Sequence, residues 1–149
     1  MTTSDGLQGR VALVTGAANS IGAACARKLA AVGARVAVTD IDAGGAKRVA
    51  EEIVAAGGDA IGLGLDVSDS QAVTATVATV VERLGGLDVG VNNAGVTSEG
   101  SPTGDLSDGE WRRILSVNLD GVFYCTRAEI GAMRRSGGGA VVNMASILA

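Results

Sequence analysis

Short apolar runs alternate with longer amphipathic segments along the chain. The first run, 11–14, is apolar at every position, which is typical of a strand in a parallel sheet buried on both faces. In 43–56 the apolar residues recur instead at helical spacing. The pattern predicts strands at 10–15, 35–39, 60–65, 87–91 and 139–145. It predicts helices at 20–32, 43–56, 69–84, 108–116 and 118–135.

Turn and cap signals mark the boundaries of these elements. Glycines follow several of the predicted helices, and Ser-x-x-Gln from Ser68 and Ser-x-x-Glu from Ser107 predict capping boxes. Strands that alternate with helices through right-handed crossovers form a doubly wound parallel sheet. We therefore expect an α/β fold, and the length of 149 residues predicts a single domain.

The segment 10–40 combines a strand, a small-residue turn, a helix, a second strand and a terminal acid. Glycines such as Gly16 and Gly22 let the backbone approach a pyrophosphate, and the helix N-terminus offers N–H groups to its charge. Asp40 follows at close to the roughly 20-residue spacing of a carboxylate that binds the adenosine ribose. Two alternatives remain: an ordinary strand-to-helix turn, and Asp40 as a helix cap or solvated turn residue.

A carboxylate at Asp40 also predicts a cofactor preference. It accepts hydrogen bonds from ribose hydroxyls and repels the 2′-phosphate of NADP. No Arg or Lys lies between Thr15 and Gly22 or directly after Asp40. The sequence therefore favours NAD over NADP.

Polar residues also follow the later strands. The carboxyl ends of parallel strands share one edge, where open α/β sheets bind ligands. A ligand role there competes with plain turn chemistry. Asn118 is a separate case: an amide in an apolar helical pattern is costly unless it is hydrogen-bonded, so it is either a satisfied structural amide or a functional one. The strand-end residues are Asp66-Val67, Asn92-Asn93-Ala94-Gly95 and Ser146.

Composition narrows the function classes. The net charge of −4 argues against nucleic acid, and no apolar run approaches the length of a membrane span. The N-terminus lacks the basic start and apolar core of a signal peptide, so we expect a cytoplasmic protein. The chain has no histidine, which excludes a Ser-His-Asp triad and a histidine-ligated metal, and we expect no metal site. Its two cysteines form no CxxC pair and are expected to be free buried thiols.

Together these motifs resemble the short-chain dehydrogenase/reductase family of the classical type, from Gly9 to the end of the chain. The resemblance implies a Rossmann-like NAD(P)-binding domain over 1–149, incomplete at its C-terminus. It implies hydride transfer between the nicotinamide and a small alcohol or carbonyl substrate. The implied cofactor-binding residues are Gly16, Asn19, Ser20, Ile21, Gly22, Asp40, Ile41, Asp66, Val67, Asn93, Ala94 and Gly95. The implied catalytic residues are Ser146, toward the substrate oxygen, and Asn118, toward a proton-relay water.

The sequence departs from the family pattern in two places. Ser20 stands where the middle glycine of the turn is usual. The family's acid/base tyrosine, in a Tyr-x-x-x-Lys motif soon after the serine, does not occur before Ala149, and Tyr124 is followed four positions later by Ala128. We therefore expect the cofactor-binding part of an NAD-dependent oxidoreductase. The alternative is a catalytically silent NAD-binding or interaction fragment.

The resemblance also concerns assembly. The helix from Asn118 resembles the family's oligomer-forming helix, so a dimer or tetramer is expected. The apolar stripe of Leu119, Phe123, Ile130 and Met133 is equally explained by core packing. If 149 residues are the whole polypeptide, the fifth strand becomes an apolar edge, and we expect a marginal or aggregation-prone monomer.

Overall fold

The computed structural model of the protein describes residues 6–98, 100 and 102–146. It contains a five-stranded parallel sheet in the order β3-β2-β1-β4-β5. All five predicted strands are confirmed, with ends that differ by at most two residues. The strands are β1 Val11–Val14, β2 Arg35–Asp40, β3 Asp59–Gly64, β4 Val89–Asn92 and β5 Ala140–Asn143.

The helices also follow the predicted order, with one correction near Asn118. The predicted helix 118–135 begins only at Val122, because 116–121 forms a π-helical segment that carries α4 into α5. An extra residue in one helical turn produces such a segment, and apolar spacing does not reveal it. The helices are α1 Ser20–Ala31, α2 Ala43–Ala55, α3 Ser70–Leu84, α4 Asp108–Leu115 and α5 Val122–Met133. A short 3-10 turn lies at Thr103–Asp105.

One predicted capping residue is confirmed and the other is wrong. Ser107 caps α4 by accepting a hydrogen bond from the Glu110 N–H. The cap of α3 is Asp69 rather than Ser68, and its carboxylate accepts from two N–H groups of the first turn. An ionised carboxylate is the stronger acceptor, and the Ser68 hydroxyl donates instead to Asp66.

Side chains of β1 alternate between two apolar layers. Ala12 and Val14 pack with residues of α1 and α2, whereas Val11 and Leu13 pack with residues of α3 and α5. All four are almost fully buried. The sheet is therefore covered on both faces along β1, and the predicted doubly wound α/β architecture is confirmed.

The core-packing explanation of the α5 stripe is wrong for three of its four residues. Leu119 is 61% exposed, Phe123 56% and Ile130 45%, whereas Met133 is buried. These three side chains point away from the sheet because α5 buries a different stripe, which includes Cys125, Glu129 and Ala132.

The structure also bears on the cysteines and on membrane contact. Both thiols are free, but only Cys125 is buried and Cys25 is half-buried. Burial raises the pKa of Cys125 to about 12, so it stays a thiol at neutral pH. Within the described ranges, no helix is long and apolar enough to span a membrane. No cluster of three or more potential metal-binding side chains occurs in that part of the chain.

The close packing of α2 on β3 gives a test of the fold. A Cβ at Gly62 would lie 2.5 Å from Lys47 Cα and 2.7 Å from the Ala46 carbonyl oxygen. Gly62→Ala therefore forces the helix off the strand, and we expect a loss of about 1–3 kcal/mol in the free energy of unfolding by urea denaturation. Gly86→Ala is the control, because its Cβ meets nothing within 4 Å. Equal effects of the two substitutions would contradict this packing.

Candidate functional site

A cavity of about 390 Å³ lies at the carboxyl ends of the strands, beside the junction of β1 and β4. The chain leaves β1 toward β2 and reaches β4 only after crossing to the other side, and ligands of open α/β sheets bind at such switch points. All twelve sequence-predicted cofactor residues line it; their role in binding stays a prediction. Three further lining residues were not predicted and adjoin them in the fold: Leu65, Val96 and Val117.

The glycine turn approaches the end of β4 very closely. Gly16 has a φ of +62°, and a Cβ there would lie 2.7 Å from Ala94 Cα. A Cβ at Gly22 would collide with the Gly16 carbonyl oxygen. Asn93 donates from Nδ2 to the carbonyl oxygens of Thr15, at 3.1 Å, and Gly16, at 2.9 Å. Asn93 is thus a bridge between the two loops rather than a plain turn residue.

Thr15 completes this bridge and was not predicted. Its hydroxyl is buried and accepts from the backbone N–H groups of Asn93 and Ala94, both at 3.1 Å. The signal in the sequence is a hydroxyl directly before Gly16, at the end of β1. At that position a side chain can bind the loop that follows a neighbouring strand. A small hydroxyl fits there, and a larger apolar residue would leave two part-buried N–H groups without this acceptor.

The N-terminus of α1 faces the same cavity. Its cap residue, Asn19, makes no side-chain capping bond, so the N–H groups of the first turn are not satisfied by that side chain. Ser20 has a φ of +47°, the one non-glycine positive value in the described ranges. A left-handed serine costs about 1–2 kcal/mol. The arrangement offers N–H groups and a positive helix end to an anion.

Asp40 is held by two backbone N–H groups. Its Oδ2 accepts from Ala18 and its Oδ1 from Asp42, both at 2.9 Å. The alternative of Asp40 as a helix cap is wrong, because Asp42 caps α2 by accepting from the Gly45 N–H. Each carboxylate oxygen keeps a second acceptor position, so Asp40 retains the capacity to bind hydroxyl groups.

Arg48 places a positive charge beside the turn, which the sequence did not predict. Its Nη2 donates to the Ala18 carbonyl oxygen at 3.2 Å, and the N–H of that same residue binds Asp40. The preference for NAD was inferred from the absence of Arg and Lys in the turn and directly after Asp40, and Arg48 lies outside both stretches. The available signal was helical spacing, since Arg48 lies one turn after the buried Gly45.

Asp66 and Val67 form the wall contributed by the end of β3. Asp66 Oδ1 accepts from the N–H and the hydroxyl of Ser68, at 2.9 and 2.7 Å. This is the turn chemistry that the sequence left open as an alternative. Val67 is buried against Gly121, whose Cβ would lie 2.8 Å from the valine Cγ2.

The two predicted catalytic residues are not among those that line the cavity. Asn118 clamps the backbone of Val96: its Oδ1 accepts from the N–H and its Nδ2 donates to the carbonyl, both at 2.8 Å. That is the satisfied structural amide of the two alternatives. Ser146 is exposed beyond the end of β5. Their catalytic roles stay predictions.

A buried polar cluster lies below the cavity, and the sequence did not predict it. Glu129 of α5 is fully buried, and its Oε2 accepts from Asn92 Nδ2 at 3.0 Å. Asn92 Nδ2 also lies 2.9 Å from Asn143 Oδ1 and 3.3 Å from Thr126 Oγ1. Burial raises the pKa of Glu129 to about 7. The signal was an acid four positions after the buried Cys125, on the same helix face.

Comparison with known proteins points to one family. A family model described as short chain dehydrogenase matches residues 10–149. The chain is 41% identical to a cyclohexanol dehydrogenase of Acinetobacter sp., over 97% of this chain and 57% of the relative. It is 43% identical to a D-threitol dehydrogenase of Mycolicibacterium smegmatis, over 94% and 54%. The chain thus spans little more than half the length of these relatives.

Solved structures agree with the fold. A putative short-chain alcohol dehydrogenase from Sinorhizobium meliloti matches with a TM-score of 0.91 and 40% identity, over 98% of this chain and 57% of that one. A metagenomic short-chain oxidoreductase in complex with NADP matches with a TM-score of 0.89 and 42% identity, over 95% and 64%.

Substitution of Ser20 tests the strained turn. We expect Ser20→Gly to raise the free energy of unfolding by about 1 kcal/mol, because glycine adopts the positive φ without a steric cost. Ser20→Ala is the matched control: it also removes the hydroxyl but keeps the Cβ that causes the strain. Thermal or urea unfolding of both variants measures the difference. If both shift stability equally, backbone strain is not the cause.

Substitution of Asn118 tests the clamp on Val96. Asn118→Ala removes both hydrogen bonds, and we expect about 1–3 kcal/mol of destabilisation and faster hydrogen exchange of the Val96 amide. Asn118→Asp keeps an acceptor for that amide and loses only the donor. Its Val96 amide should therefore stay protected. Fast exchange of this amide in the wild-type chain would refute the clamp.

Proposed function

The chain belongs to the short-chain dehydrogenase family, and from that premise we propose that its cavity binds a nicotinamide dinucleotide for oxidoreduction of a small alcohol or carbonyl compound. One observation carries the proposal. Twelve residues from separate segments of the chain, which the family resemblance implies for a dinucleotide, meet in one cavity at the switch point of the sheet. Structural turns alone would not require an anion-binding helix end and a carboxylate in the same cavity.

The residues of the turn fit a pyrophosphate. Gly16 and Gly22 line the cavity, and a Cβ at either would meet other atoms of this chain, so the glycines keep the turn tightly packed at the cavity. The N-terminus of α1 has no side-chain cap from Asn19 and presents N–H groups to negative charge. We assign the pyrophosphate to this turn, with the Ser20 hydroxyl as an additional donor.

The other end of the cavity fits an adenosine. Asp40 is fixed by two backbone bonds and would accept from ribose hydroxyls. Ile41 is 76% exposed at the cavity edge, and an apolar side chain in that position would pack on a purine ring. Asp66 and Val67 would flank the adenine from β3. Asn93, Ala94 and Gly95 would lie under the rest of the cofactor.

The bound dinucleotide would supply the hydride acceptor or donor. The residues of this chain would bind it, orient it and hold the substrate oxygen. We propose that Ser146 hydrogen-bonds that oxygen and that Asn118 acts through the position of Val96. The alternative, a binding fragment without turnover, differs from this only in catalysis.

We propose NAD(H) rather than NADP(H) because the Asp40 carboxylate would repel a phosphate on the ribose. Two observations favour NADP(H) as a second candidate. Arg48 places a guanidinium against the Ala18 carbonyl oxygen, close to Asp40. A neighbour with 42% identity has been solved in complex with NADP.

Dissociation constants for NADH and NADPH separate the two candidates. We expect the wild-type chain to bind NADH more tightly, and Asp40→Asn to lower the preference by about tenfold, because a charged hydrogen bond is lost and the repulsion is removed. Arg48→Gln is the matched control and should leave NADH binding unchanged. Tighter NADPH binding that disappears in Arg48→Gln would establish the second candidate. Binding of neither nucleotide would overturn the proposal.

Turnover with a panel of secondary alcohols tests catalysis separately. The panel includes cyclohexanol and threitol, the substrates in the names of two relatives. With NAD⁺ present, dehydrogenation transfers the carbinol hydride to NAD⁺ and releases the hydroxyl proton to solvent, so NADH absorbance measures the rate, and we expect Ser146→Ala to abolish it. Nucleotide binding without any NADH formation would favour the silent fragment.

A further inference from the structure

A buried acid of α5 packs against β4. The carboxylate of Glu129 occupies the space beside Gly90 that a side chain would need, since a Cβ there would lie 2.5 Å from the glutamate Cδ and Oε1. The side chain is fully buried. Glu129 thus places an acid in the apolar core between α5 and β4. Gly90, which has no side chain, leaves the room that the carboxyl group occupies.

Glu129 and Asn92 share one hydrogen bond and have two oxygens left over. Asn92 Nδ2 donates to Glu129 Oε2 at 3.0 Å. Within the described residues, the other carboxyl oxygen, Oε1, and the amide oxygen, Asn92 Oδ1, are buried without a hydrogen-bond partner. The carboxyl group and the amide that carry these two oxygens are the same groups that the Nδ2–Oε2 hydrogen bond joins. Buried oxygens without donors are rare because each loses its hydration on folding.

A single proton would supply the hydrogen that both atoms lack. If Glu129 is a carboxylic acid with its O–H on Oε1, that group is a donor available to the unpartnered Asn92 Oδ1, while the amide N–H donates to Oε2. An ionised carboxylate has no hydrogen to place between the two oxygens.

The surroundings of Glu129 favour the neutral form. Val73, Val77 and Val80 of α3 are buried apolar residues on the face toward α5, and no ion pair to Glu129 forms among the described side chains. The titratable neighbour is Cys125, on the same helix, which is itself neutral. Burial acts in the same direction, since it raises the pKa of Glu129 to about 7.

Asn92 connects this pair to the cavity. Its side-chain Nδ2 is 2.9 Å from Asn143 Oδ1, and its backbone carbonyl oxygen accepts from the Met144 N–H at 2.9 Å. The next residue along the chain, Asn93, holds the glycine turn. The ends of β4 and β5 are therefore joined by backbone pairing and, in addition, by the Asn92 side chain, which is itself hydrogen-bonded to Glu129.

We propose that Glu129, as a neutral acid paired with the amide of Asn92, is a positioning residue that holds the ends of β4 and β5 under the cofactor. This rests on the proposed function for its effect on binding, whereas the acid–amide pair itself does not. Glu129 touches neither cofactor nor substrate in this scheme. It acts through Asn92 and the residues that follow it.

Two substitutions separate pairing from volume. Glu129→Gln keeps both hydrogen bonds, because its amide donates to Asn92 Oδ1 and accepts from Nδ2. Glu129→Leu keeps similar volume and loses both. We expect NADH affinity unchanged in Glu129→Gln and weakened about tenfold in Glu129→Leu, equivalent to about 1.4 kcal/mol. Equal loss in both variants, or no loss in Glu129→Leu, would overturn the positioning role.

Infrared difference spectroscopy tests the proton directly. At pH 6 the wild-type chain should show the C=O band of a protonated carboxyl group that Glu129→Gln lacks. The band should fall as pH rises through about 7. Absence of the band at pH 6 would overturn the neutral pair.

The pH dependence of stability is an independent test of whether Glu129 takes up a proton on folding. The folded-state pKa of Glu129 is raised from 4.5 to about 7, so the folded chain binds more protons than the unfolded chain between these values. The unfolding midpoint of the wild type, relative to Glu129→Gln, should therefore fall as pH rises from 4.5 through about 7. A relative rise over this range would contradict the proposal.

The outcomes also distinguish this inference from the proposed function. If the wild-type chain binds no dinucleotide, the proposed function fails, and the infrared band and the pH dependence still decide the acid–amide pair. The positioning role is then measured by the side-chain amide NMR signals of Asn93, which should move in Glu129→Leu and stay in Glu129→Gln. Unmoved signals in both would overturn it.

Discussion

The site depends on the junction between β1 and β4, two neighbouring strands that are distant in sequence. Thr15 and Asn93 join their ends through four hydrogen bonds, two to the threonine hydroxyl and two from the asparagine amide. All four are part-buried and pair polar groups of the two loops with each other. The glycine turn, the N-terminus of α1 and the loop after β4 take their relative positions from this junction.

The fold was predictable because the signals that define it are local. Strands such as β1 are apolar on both faces, and helices such as α2 repeat apolar residues at helical spacing, so burial and element type follow from neighbouring residues. The π-helical segment at 116–121 was not predictable, since one extra residue in a turn leaves the apolar pattern nearly unchanged. The cap at Asp69 depended on a competition between adjacent side chains that the Ser-x-x-Gln pattern does not resolve.

The site was predictable in part, for a related reason. Residues at strand ends converge by topology, so the cavity-lining set could be read from the positions that follow each strand. Arg48 and Glu129 reach their places from the middle of helices, and only the packed structure shows where such side chains end. Asn118 shows the limit of reading a role from a residue type: its amide is occupied by the backbone of Val96.

The clamp of Asn118 on Val96 imitates a strand, since a side-chain amide supplies the donor and acceptor that a neighbouring backbone would supply. Arg113 adds a bond to the Thr97 carbonyl oxygen at 2.9 Å, so the chain is anchored on both of these consecutive residues. An insertion or exchange after Thr97 and before Ser107 would lie between two fixed points. One is the hydrogen-bonded pair Val96 and Thr97, and the other is the Ser107 cap of α4. This stretch is therefore suited to loop grafting, in which a new segment is introduced while the wall of the cavity keeps its shape.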